Sequence, residues 1–275
     1  MNWLETHFDL TQPGLWAFVT AALAILAVNL AWLIARACEG PRLRVAARVL
    51  RANGVQAAAW LIASLYLLLP PFYAWRYGAI SPYLLGIAEL DWIESLSAGG
   101  PFVGLVIALL AFGWLVYRRA LPTGEPAPAG AGRVFLALRA AIDAGLTQWR
   151  LAFCRAALIA WLAALPALPA PIPAGFLREL QAQPFYWGSW LGLGLVLLEA
   201  GLNPFFRDTL GWPAPEARRH DRPEALLRGL ALAIATTGLF VLTRNFWLCL
   251  ACHVVADTVI AGWLPLRRPT SELVA

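Results

Sequence analysis

The sequence predicts an all-α protein, a polytopic transmembrane helix bundle of about seven spans with its N-terminus outside and its C-terminus cytoplasmic. Three observations lead there. Of 275 residues, 60% are hydrophobic and only 13% charged, more apolar surface than a soluble core of that size hides. Apolar segments recur near the roughly 20 residues that a bilayer requires. The 21 basic residues are all arginine, and they gather on alternate loops.

The apolar segments fall at about 15–35, 54–75, 101–117, 151–169, 185–203, 223–243 and 246–264. Arg36, Arg42, Arg44, Arg48 and Arg51 follow the first. Arg118, Arg119, Arg133, Arg139, Arg150 and Arg155 follow the third or open the fourth. Arg207, Arg218, Arg219, Arg222 and Arg228 lie between the fifth and sixth, and Arg267 and Arg268 after the last. Only Arg76, Arg178 and Arg244 fall on the opposite loops. Because Arg-rich loops stay in the cytoplasm, this alternation sets the orientation. The net charge of +5 is then a matter of topology rather than of nucleic-acid binding, and no nucleic-acid partner is expected.

Each element has a local rationale. The first 14 residues carry Glu5 and Asp9 but no arginine, so a secretory n-region is missing and the first segment is expected to remain as a span. Residues 78–100, with Glu89, Asp91 and Glu94, read as a short outer interfacial helix or re-entrant turn. Residues 121–132, "LPTGEPAPAGAG", read as a flexible cytoplasmic linker. Phe135, Leu138, Ile142, Leu146 and Trp149 then recur at helical spacing while Arg139, Asp143 and Thr147 recur at i, i+4, as in an interfacial amphipathic helix on the inner leaflet. Pro166 and Pro169 end or kink the fourth span and Pro204 breaks the fifth. Gly188, Gly192, Gly194, Ala200 and Gly201 let the fifth approach a neighbour closely. Tyr186, Trp187, Trp190 and Trp247 are placed as interfacial aromatics would be. The chain divides into N-terminal helices (1–120), a linker with amphipathic helix (121–150) and a C-terminal membrane region (151–275).

Ionisable groups inside a span are costly and mark function by default. Glu199 lies late in the fifth segment and His253 and Asp257 in the middle of the seventh, with Arg207 and His220 at the cytoplasmic border and His7 in the outer tail. His253 and Asp257 stand four residues apart, which stacks an imidazole and a carboxylate one helical turn apart. Cys249-Leu250-Ala251-Cys252-His253 also spells the attachment pattern of c-type haem. Its apolar helical setting disfavours covalent haem, and Cys38, Cys154, Cys249 and Cys252 read as small hydrophobes.

The stretch "LTRNFWLCLACHVVAD" at 242–257 resembles the last conserved region of the CAAX prenyl protease and bacteriocin-processing family of intramembrane proteases. There a polar turn and a Trp precede an apolar run ending in His-x-x-x-Asn or His-x-x-x-Asp. "NPFFRDTL" at 203–210 is similar to the Phe-Arg that closes the family's Glu-Glu-x-x-x-Arg motif. The resemblance covers at most the C-terminal third. It implies an endopeptidase acting on a membrane-anchored peptide or protein among membrane lipids, a glutamate activating water while histidines and an Asn or Asp stabilise the oxyanion. That mechanism requires no cofactor, although a divalent metal remains open.

Two departures accompany it. Counting back from Arg207, the paired glutamates fall on Leu202 and Asn203, so Glu199, three residues earlier on the same helical face, is the candidate base. The family's Phe-x-x-x-His is missing, and Phe240-x-x-x-Arg244 stands nearest to it. The expected set is therefore Glu199 as base, His253 and Asp257 as oxyanion or metal-facing partners, with Arg207 and His220. The alternative is a catalytically degenerate protein that binds lipid-modified or helical partners, or a transport-complex subunit. In either case the expected location is the bacterial cytoplasmic (inner) membrane.

Overall fold

The computed structural model describes residues 12–37, 55–88, 90–120, 133–165, 175–203 and 221–263. Among the described residues every regular element is helical and no strand occurs. The helices are α1 (Pro13–Ala37), α2 (Val55–Arg76), α3 (Pro82–Leu85), α4 (Trp92–Ala120), α5 (Arg133–Ala164), α6 (Gly175–Ala182), α7 (Pro184–Leu202), α8 (Asp221–Thr243) and α9 (Phe246–Trp263). A helix stands at each of the seven apolar segments. Two of them, Trp92–Val116 and Pro184–Leu202, are long and apolar enough to cross a bilayer by length and composition. Shorter apolar helical stretches lie at Pro13–Asn29, Leu227–Thr243 and Phe246–Val259.

Local chemistry sets the boundaries. Pro13 and Pro184 open α1 and α7, where a missing N–H is harmless. Ser81, Asp91 and Asn245 act as N-caps, their side-chain oxygens accepting from the backbone N–H of Leu84, Glu94 and Leu248 at 3.3, 3.0 and 3.0 Å. At the other end of α7, Asn203 is extended (φ −74°, ψ 116°), the conformation that the following Pro204 favours. Helix α5 stops at Ala164, just before Pro166.

Three elements differ in extent from the expectation. The third segment starts at Trp92 rather than near 101, because the Asp91 cap nucleates it earlier and Pro101 sits inside the helix without ending it. The short helix before it is reduced to the single turn of α3. The amphipathic stretch and the fourth segment are one continuous helix of 32 residues. No proline separates them, and Gly145 alone does not break a helix. The linker 121–132 lies outside the described residues.

The chain forms two compact units, one from Met1–Leu85 with Arg150–Arg218, the other from Gly86–Trp149 with Arg219–Ala275. In the first, residues 151–159 of α5 are buried without interruption. Helix α7 packs on it through glycine. A Cβ on Gly188 would lie 2.6 Å from the Ile159 backbone, and one on Gly192 would lie 2.7 Å from that of Arg155. Gly194 and Gly201 face open space. Helix α1 lies against α2, where the Trp16 ring stacks on Tyr73 and Tyr77 at centroid distances of 6.1 and 6.3 Å.

In the second unit α4 packs against α8 and α9 along one stripe. Ser95, Gly99 and Val106 are buried there, and Gly99 approaches Leu239, Thr243 and Leu248. The rest of α4 is apolar yet uncovered, with Ile93 84% and Phe112 67% exposed. A core helix of a soluble protein would be mostly covered, whereas 11% of the apolar window of α4 is buried. Helices α8 and α9 meet in a two-residue turn with Arg244 in the left-handed region (φ 52°). Gly86, also left-handed (φ 71°), seats its carbonyl on that turn, accepting from Phe246 N–H at 2.9 Å. A Cβ there would stand 2.6 Å from the Arg244 carbonyl oxygen, so only glycine fits.

Candidate functional site: two polar clusters in apolar helices

His253 and Asp257 share one face of α9, as their spacing predicts. The imidazole is buried, and its Nε2 faces Asp257 Oδ2 at 3.5 Å. On the other side of the ring, Gln148 of α5 places its amide nitrogen 2.9 Å from Nδ1. The same amide nitrogen donates to Thr236 Oγ1 of α8 at 3.0 Å, and the Thr236 hydroxyl donates to the Leu232 carbonyl at 2.8 Å. Asp257 Oδ1 lies 3.0 Å from Arg228 Nε, a charge contact without hydrogen-bond alignment. The Arg228 guanidinium also sits 5.9 Å from the centroid of the Trp114 ring, within cation–π range. Thus α5, α8 and α9 supply one connected set, Thr236, Gln148, His253, Asp257 and Arg228, inside the second unit.

Glu199 belongs to a different cluster, in the first unit. Its two carboxylate oxygens accept from the Arg150 guanidinium in a two-pronged pair, one arm being Nε to Oε2 at 3.1 Å and the other NH2 to Oε1. Arg150 also donates to Thr20 Oγ1 of α1. The two side chains are 8% and 11% exposed, so the charges are removed from water together. Bidentate geometry of this kind is what makes a buried charge tolerable.

Glu199 thus faces Arg150, while His253 and Asp257 face Gln148 and Arg228. Arg207, His220, His7 and Cys38 lie outside the described residues. Cys249 and Cys252 are buried in α9, and the Cys249 thiol donates to the Thr236 carbonyl at 3.2 Å. Thiols covered in this way do not present the open segment that haem attachment needs, and Cys154 is likewise buried and free. Among the described residues no three His, Cys, Asp or Glu side chains gather as metal ligands would. His253 and Asp257 alone do not make a site.

Arg150, Gln148, Thr236 and Arg228 escaped the sequence reading as site residues. In sequence Arg150 and Arg228 read as loop-side arginines, because each stands at the edge of an apolar segment. Gln148 and Thr236 are uncharged, so no charge marked them out. For Arg150 the signal available is helical register, since it continues the polar row Arg139, Asp143 and Thr147 at i+3, whereas Gln148 lies off that row. No protein-family model, curated protein or solved structure matches the chain.

Proposed function

We propose that the protein is a seven-span membrane protein, N-terminus outside and C-terminus cytoplasmic, that binds membrane-anchored peptide or lipid-modified partners without cleaving them. Its resemblance to the CAAX protease and bacteriocin-processing family then reflects a shared scaffold with a degenerate site. The uncovered apolar face of α4 supports membrane insertion, and the one-sided arginines support the orientation. One observation carries the non-cleaving part. Both candidate carboxylates face an arginine, Glu199 on Arg150 and Asp257 on Arg228. A general base must hold the water whose proton it takes, and here the Glu199 pair would first have to open. The family's own two glutamate positions carry Leu202 and Asn203.

The hydrolase reading stands second, and the His253–Asp257 geometry favours it. The purified protein in proteoliposomes, given a prenylated fluorogenic peptide and a single-span helical reporter, separates the two. Saturable binding with no cleavage above empty liposomes is the expected result. Cleavage that disappears in both Glu199→Gln and His253→Ala at unchanged protein level would establish the hydrolase. Failure of either probe to bind saturably would remove the binding reading.

A further inference from the structure

We propose that Gln148 is a positioning residue that fixes His253 as the Nε2–H tautomer, so that the ring turns its N–H toward the Asp257 carboxylate. The chain of reasoning starts at Thr236. A threonine hydroxyl owns one proton, and Thr236 gives it to the Leu232 carbonyl at 2.8 Å. Toward Gln148 it therefore offers a lone pair, and the group facing it at 3.0 Å must be the amide NH2 rather than the amide oxygen. The same nitrogen carries a second proton, and this one points at His253 Nδ1, 2.9 Å away.

An Nδ1 that accepts from an amide carries a lone pair, so the ring proton resides on Nε2. Nε2 is the nitrogen that faces Asp257 Oδ2. Turning the amide over would set its oxygen against the committed Thr236 oxygen, lone pair to lone pair, and would leave the NH2 without the threonine acceptor. In a fully buried setting that loss is costly. Gln148 is 105 residues from His253 in sequence, and nothing in the motif around His253 announces it. The assignment does not depend on whether the protein cleaves its partners.

Imidazole nitrogen spectroscopy of the full chain, labelled with ¹⁵N-histidine in bilayers, tests the proposal. The signal lost in His253→Asn identifies the ring. The expected spectrum has Nδ1 at the position of an unprotonated nitrogen and Nε2 at that of a protonated one. Gln148→Glu replaces the donor by an acceptor of the same shape and is expected to move Nδ1 to the protonated position. A protonated Nδ1 in the unaltered protein overturns the proposal, as does an Nδ1 that stays bare in Gln148→Glu. The unaltered spectrum alone decides the matter if that variant does not fold. A role confined to packing would leave the proton on the same nitrogen in both proteins.

Discussion

Removing Glu199 strands the Arg150 guanidinium in a buried site, and removing Arg150 does the same to the carboxylate. Breaking a buried pair from one side costs about 3–5 kcal/mol, whereas replacing both partners by apolar residues is close to neutral. Glu199→Ala and Arg150→Ala are each expected to lower stability by that amount. Arg150→Leu with Glu199→Leu is expected to recover most of it in reversible unfolding from mixed micelles. Additive losses would show that the pair carries no coupling. A second residue-scale expectation concerns Asp257→Asn, which keeps the shape but leaves Arg228 without its counter-charge. Arg228 is 28% exposed on its side chain, so water takes over part of the role and the loss is expected to be smaller than at Glu199. Glu199, His253 and Asp257 could be singled out from sequence because a charge inside an apolar run is conspicuous. Their partners could not, since a distance between helices is not written in either helix alone.

Helix α7 offers a comparison within one element. Gly188 and Gly192 are four residues apart, and each sits against the backbone of α5, whereas Gly194 faces open space. Gly188→Ala and Gly192→Ala are expected to cost about 1–3 kcal/mol each, because backbone cannot step aside as a side-chain tip can. Gly194→Ala is expected to be neutral or to stabilise by up to about 1 kcal/mol through helix propensity. Thermal unfolding in detergent orders the three. Equal midpoints would mean that the close approach contributes nothing. The small-residue pattern of this helix was legible in sequence, but which glycines meet a neighbour depends on the rotation of α7, and only the i, i+4 pair faces it. Element ends were legible where proline wrote them, at Ala164 and Leu202. The early start of α4 was not, because the two glycines and the proline at 99–101 look like a break and the Asp91 cap outweighs them.

For the whole molecule, the orientation proposed from the arginines predicts the outcome of reporter fusions. Alkaline phosphatase is expected to be active after Gly86 and inactive after Arg51, Gly124 and Ala275, and a fluorescent protein to light up at the same three inactive points. Activity after both Gly86 and Gly124 would mean that α4 does not cross. The all-helical class followed from composition at this scale, since no pattern of alternating residues competes with the apolar runs. The division into two units, each drawing on separated stretches of chain, has no counterpart in any local signal.

Helix α5 is unbroken over 32 residues, which makes a rod of about 48 Å at 1.5 Å per residue. The hydrocarbon layer is about 30 Å thick, so on the proposed topology roughly three turns at the Arg133 end stand out in the cytoplasm. Those turns form a handle continuous with Gln148. A docking event or a bend that tilts the handle would tug on the His253 ring through the Gln148 amide.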